Sequence, residues 1–135
     1  MKKMLMLGCC ALLIGLTVYA HGDEEFEGWM KQTNANFAGA RKAVAAKQVA
    51  ETAAAGDKLA ELFEHVKSHF EHHKWADAIS MSQTAQDAAK DLTANAKAGD
   101  WEKASADLKT MGGTCQGCHA AHRVKNAEGE WEMKK

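Results

Sequence analysis

The stretch Trp101–His122 reads WEKASADLKTMGGTCQGCHAAH, and two patterns run through it. Ala104, Leu108, Met111, Cys115, Cys118 and His122 recur at three- and four-residue steps, the period of one face of an α-helix. Within it, Cys115-Gln116-Gly117-Cys118-His119 has the C-x-x-C-H spacing of covalent c-type haem attachment. Each thiol can form a thioether with one haem vinyl group, and the imidazole of His119 can then ligate the iron from the proximal side. The sulfurs continue the apolar stripe, which predicts a helix whose core face carries the cofactor. Gly112-Gly113 interrupts that stripe and is expected to loosen or kink the helix just before the attachment site.

Other chemistries fit the cysteine pair less well. A structural zinc site needs four ligands, and Cys115, Cys118 and His122 would have to find the fourth far away. A thioredoxin-like pair needs a βαβ context, and the chain has no alternating runs of β-branched and aromatic residues to supply one. A disulfide between the two would leave His119 without a role.

Outward from this stretch the chain is helical by the same measure. It has 135 residues, one domain's worth, with abundant alanine and no proline. Ala98-Gly99-Asp100 reads as a helix end followed by a cap for the last helix. Before it, Ala78, Ile79, Ser82, Ala85, Ala89, Leu92 and Ala96 predict a helix from near Trp75 to about Lys97, with a small stripe that a bulky neighbour can approach closely. Another helix is centred on Leu59, Leu62, Phe63, Val66 and Phe70, with Gly56-Asp57 expected to supply a break and a cap in front of it. Phe26, Trp29, Met30, Thr33, Phe37, Ala40 and Val44 predict a first helix over about Asp23 to Lys47. The tail from Lys125 to Lys135 is charged and contains Gly129, and it reads as frayed. Four helices with short connections give an all-α, antiparallel up-down-up-down four-helix bundle.

The beginning of the chain has a different character. Lys2 and Lys3, an apolar run from Met4 to Val18, and Val18-Tyr19-Ala20 together read as a secretory signal cleaved after Ala20. Residues 21–135 then form the domain, exported to the periplasm, with no stable membrane insertion after cleavage. Cys9 and Cys10 leave with the signal, so Cys115 and Cys118 are the mature cysteines. The formal charge of −1 becomes −3 once Lys2 and Lys3 are lost, which gives no electrostatic case for nucleic acid or an acidic membrane.

A C-x-x-C-H on the last helix of a bundle, followed four residues later by Arg123, resembles the class II c-type cytochromes, which include cytochrome c-prime and its low-spin relatives. Members often carry tyrosine before that arginine, where this chain has His122. The resemblance implies one covalent haem c on Cys115 and Cys118, His119 as proximal iron ligand, and Arg123 near the haem propionates, where a guanidinium can pair with carboxylate. It also implies that Met30, within Trp29-Met30-Lys31-Gln32-Thr33-Asn34-Ala35-Asn36, is the candidate distal iron ligand, as in the low-spin relatives. Phe26 stands where the family usually has an arginine. His/Met ligation raises the reduction potential and suits electron transfer between redox partner proteins. In the c-prime type, the same position only crowds an open face that binds small gases such as nitric oxide or carbon monoxide. The resemblance allows a homodimer through the early helices.

His65, His69, His72 and His73 form a second cluster, of which His65, His69 and His73 are spaced four apart. Such spacing can bind a divalent metal, which offers a third reading as a helical metal-binding or scaffold protein. A helical wheel puts His73 on the apolar face, His69 at its margin, and His65 and His72 towards solvent. No nucleophile motif, phosphate loop or paired-carboxylate signature is present, and no enzymatic activity is expected.

Overall fold

Four segments with an apolar stripe on one side fold as four helices of nearly equal length in the computed structural model, which describes residues 23–134. They are α1 (Asp23–Ala45), α2 (Val49–His73), α3 (Ala76–Lys97) and α4 (Trp101–His122), joined by residues 46–48, 74–75 and 98–100. Connections this short force each helix to run back along the one before it. α2 packs against α1 and α3, α3 against α4, and α1 meets α4 to close the four-helix bundle. The expected export signal, residues 1–20 with Cys9 and Cys10, lies outside the described residues. No helix among the described residues is long and apolar enough to cross a membrane.

The three reversals share one backbone device. Lys47, Lys74 and Gly99 all take positive φ (54°, 59° and 73°), and the amide after each donates to a carbonyl five residues back. Gln48 N–H donates to Ala43 O at 2.9 Å, Trp75 N–H to Phe70 O at 3.1 Å and Asp100 N–H to Asn95 O at 2.9 Å. This is the Schellman closure, which satisfies carbonyls a helix end leaves unpaired. Asp100 then caps α4, its carboxylate accepting from Lys103 N–H at 3.1 Å.

The core divides into two clusters along the bundle. One gathers Ala40, Val44, Leu59, Phe63, Ala89, Leu92, Leu108 and Met111; the other gathers Phe26, Val66, Phe70 and Ala78. Phe70, Leu59, Leu62 and Leu92 are almost completely buried, each contributing about 1.5–3 kcal/mol by leaving water.

Three sequence expectations are corrected. Gly56-Asp57 is not a break: α2 begins at Val49 and runs through it. Gly56 is buried where α2 crosses α3, and a Cβ there would lie 2.9 Å from the Ala89 carbonyl oxygen. Thr93 fills the adjoining space, its hydroxyl 3.2 Å from Ala53 O and 3.0 Å from the Asp57 carboxylate. The packing gain of this close approach outweighs the helix-propensity cost of glycine, about 1 kcal/mol. Gly112 and Gly113 likewise leave α4 continuous, and a Cβ on Gly112 would lie 3.5 Å from Cζ of the Phe37 ring.

The tail is the third correction. It folds back as an antiparallel ribbon of β1 (Arg123–Lys125) and β2 (Trp131–Met133), with Arg123 opposite Met133 and Lys125 opposite Trp131. Asn126 organises the turn, its side-chain oxygen accepting from Glu128 N–H and Glu130 N–H at 3.1 and 2.8 Å. Gly129 adopts φ 81° there, a conformation that costs glycine little. Lys134 N–H donates to His122 O at 2.8 Å, tying the ribbon to the end of α4.

Candidate functional site

Antiparallel order brings the start of α1, the end of α2, the start of α3 and the end of α4 to the same end of the bundle. Phe26, Val66, Phe70 and Ala78 close the core there, and Met30, Trp75, Cys118 and Met133 pack around them. Cys115, one turn earlier on α4, packs with Phe37 on the neighbouring cluster. The two cysteines therefore straddle the seam between the clusters. Both are free thiols, and both are half-buried, as is His119. Spaced three and four residues apart on a continuous helix, Cys115, Cys118 and His119 share one face.

Burial sets their protonation. It pushes the Cys118 thiol up to about 11, reinforced by Cys115 and Asp77, and it raises Cys115 as well. Both are therefore protonated thiols at neutral pH. Burial, and then the nearby Arg123 charge, hold His119 below the usual histidine range, so its ring is neutral there. An Arg123 guanidinium nitrogen lies 3.3 Å from His119 Nδ1. Guanidinium only donates, so Nδ1 accepts and the neutral ring carries its proton on Nε2; that proton would have to move to Nδ1 before Nε2 could ligate a metal.

His122, the third turn-end residue, is engaged elsewhere. Its ring stacks on Trp75 at 4.9 Å, and its Nε2 lies 2.8 Å from the Asp77 carboxylate. That hydrogen bond is the main reason Asp77 sits below the ordinary carboxylate range. Trp75 in turn stacks on Phe70 at 5.7 Å. Among the described residues no three His, Cys, Asp or Glu side chains gather to hold a metal ion, so the zinc set of Cys115, Cys118 and His122 is not assembled.

The histidines of α2 are placed differently from the wheel. His69 is the buried one, 7% exposed and stacked on Phe26 at 4.4 Å, whereas His73 is exposed. His65 and His72 are exposed as expected, with His65 stacked on Trp29 at 5.1 Å. α1 covers the His69 side of α2, which a wheel drawn on α2 alone does not contain.

Met30 is half-buried on the cluster that Cys118 shares. One turn along α1, Thr33 is buried with its hydroxyl lacking a hydrogen-bond partner. Sequence reasoning missed Asp77, Trp131 and Met133. For Trp131, an aromatic residue in an otherwise charged tail was the available signal.

Two half-buried thiols and an imidazole on one helical face, with a thioether packed on the same cluster, fit a covalently held haem. Cys115 and Cys118 would hold it, and His119 and Met30 carry the donor atoms suited to its iron. An open groove of about 370 Å³ lies between α3 and α4, lined by Met81, Thr84, Lys109, Gly113 and Gly117. At about 100° per residue, Gly113 and Gly117 stand on the side of α4 turned away from Cys115, so the groove does not serve the thiols. Comparison with protein-family models, curated proteins and solved structures finds no match.

Proposed function

We propose that the protein is a periplasmic electron-transfer protein carrying single electrons on one covalently attached haem c. The observation that carries this reading is the shared face of Cys115, Cys118 and His119 on α4, with Met30 of α1 packed on the cluster that Cys118 joins. The haem supplies the one-electron couple. The chain's residues do the rest. Protonated Cys115 and Cys118 would hold the haem through thioethers formed as each S–H adds to a vinyl group. His119 would ligate through Nε2 with its ring proton on Nδ1, which requires the Arg123 guanidinium to leave Nδ1 when haem binds. Phe26, Phe70 and Trp75 keep water from that end of the core, which limits reorganisation when charge changes. Arg123 is also the candidate contact for a propionate. The partners are redox proteins.

Optical and paramagnetic-resonance spectra of the exported holoprotein, with and without carbon monoxide, test this reading on wild type and Met30→Ala. The expected result is a low-spin wild type indifferent to carbon monoxide and a high-spin, gas-binding Met30→Ala. A high-spin, gas-binding wild type would favour the c-prime type of function. A low-spin Met30→Ala would transfer the distal role to a histidine.

A further inference from the structure

Four histidines crowd the last turns of α2, and the proposed haem site uses none of them. Their rings are not equivalent. His65 is drawn towards Trp29, on which it stacks at 5.1 Å, and its Nε2 lies 3.9 Å from the Glu61 carboxylate. His69 and His73 instead meet each other. Four residues apart on one side of the helix, their ring centroids are 4.6 Å apart and their planes are tilted by 53°. Rings tilted at this separation can bring one in-plane nitrogen lone pair from each to a common point.

We infer that His69 and His73 form a two-imidazole site for a divalent transition-metal ion at the C-terminal end of α2. Imidazole nitrogen suits copper, nickel and zinc, and histidines four apart on a helix can chelate one ion. The two rings have complementary tasks. His69 is 7% exposed, stacked on Phe26 at 4.4 Å and edge-on to Phe70 at 5.5 Å, so one donor is already held in place. A ring held this way loses little freedom when it binds. His73 is exposed and brings the ion in from solvent. An imidazole has two ring nitrogens, so one serves the ion whatever the other holds. The place favours positive charge too, because His73 is the last residue of α2, where the helix dipole is negative. Among the described residues no third His, Cys, Asp or Glu completes a metal set, so water fills the remaining positions. The spacing belongs to one continuous helix, so the site does not rest on the haem reading.

Zinc titration of the full exported chain, followed by histidine ring resonances, tests the site. The haem is kept reduced, and any thiols left without haem are blocked with iodoacetamide so that they do not compete. The His69 and His73 rings should shift together to one midpoint, copper should displace the zinc, and magnesium at the same concentration should move neither. His73→Gln, at an exposed position that leaves the His69 packing intact, should raise the midpoint read at His69 by at least about tenfold, because the chelate is lost. His69→Gln should do the same at His73, while His65→Gln and His72→Gln should stay close to wild type. A His69 ring that does not respond while His73 shifts would overturn the inference. So would a midpoint unchanged in His73→Gln, or one raised as much by His72→Gln.

Discussion

At Gly56 the absence of a side chain sets how closely α2 and α3 approach. A Cβ would meet the Ala89 carbonyl oxygen and the Thr93 backbone nitrogen, neither of which can swing away as a flexible side chain would. Gly56→Ala is expected to cost about 1–3 kcal/mol, the usual range for overpacking, read as a lower urea midpoint at unchanged slope. A second residue-level prediction concerns Asp77. Its carboxyl is depressed by the hydrogen bond from His122, so its contribution is fully present above the unfolded carboxylate value and is lost as pH falls through the lower folded value. Thermal scans should therefore show wild type losing its advantage over Asp77→Asn progressively as pH drops below about 4. An unchanged difference between the two across that range would refute the assignment. At this scale the shared helical face of Cys115, Cys118 and His119 was legible because it is written in local spacing. His69 and His73 were exchanged, since which of them is covered depends on Phe26 from another helix. Gly56 was misread for the same reason: a glycine looks alike whether it ends a helix or lets one in.

The helix ends show how a common device can be hidden by its residues. Gly99 announced its left-handed turn, while Lys47 and Lys74 adopt the same conformation without the residue that favours it. A side chain in that region costs roughly 1–2 kcal/mol, which glycine avoids at some loss of unfolded-state entropy. Lys74→Gly is thus expected to raise stability, by about 1 kcal/mol at most, measured as a higher urea midpoint. The terminal ribbon was illegible for another reason. Its strands are three residues long and half charged, and they form because Arg123 and Lys125 lie against the Trp131 ring and because Asn126 builds the turn. Removing residues 126–135 deletes the hydrogen bond from Lys134 to His122 O and the contact of Lys134 Nζ with Ala120 O at 3.4 Å. Amide exchange in the last turn of α4 should then speed about fivefold, corresponding to roughly 1 kcal/mol of lost hydrogen bonding. Protection equal to that of the full chain would show that α4 ends firmly without the ribbon.

The whole molecule is an all-α bundle whose architecture followed from four stripes of three- and four-residue period and three short connections. Up-and-down order brings Met30, near the start of the domain, to the end of the bundle where Cys118 lies. The spacing of Cys115 and Cys118 suggests a cofactor chemistry, but only the fold could say which cluster Cys118 joins: Phe26 and Phe70, with Trp75 and the ribbon's Met133 packed against them. The central claim, that this end of the bundle holds a haem by two thioethers, is tested most directly by the intact mass of the chain exported alongside the haem-attachment machinery and measured under denaturing conditions. The account predicts a polypeptide heavier by one haem, with no such addition when Cys115 and Cys118 are both replaced by serine. An unmodified mass for the exported wild-type chain would contradict it.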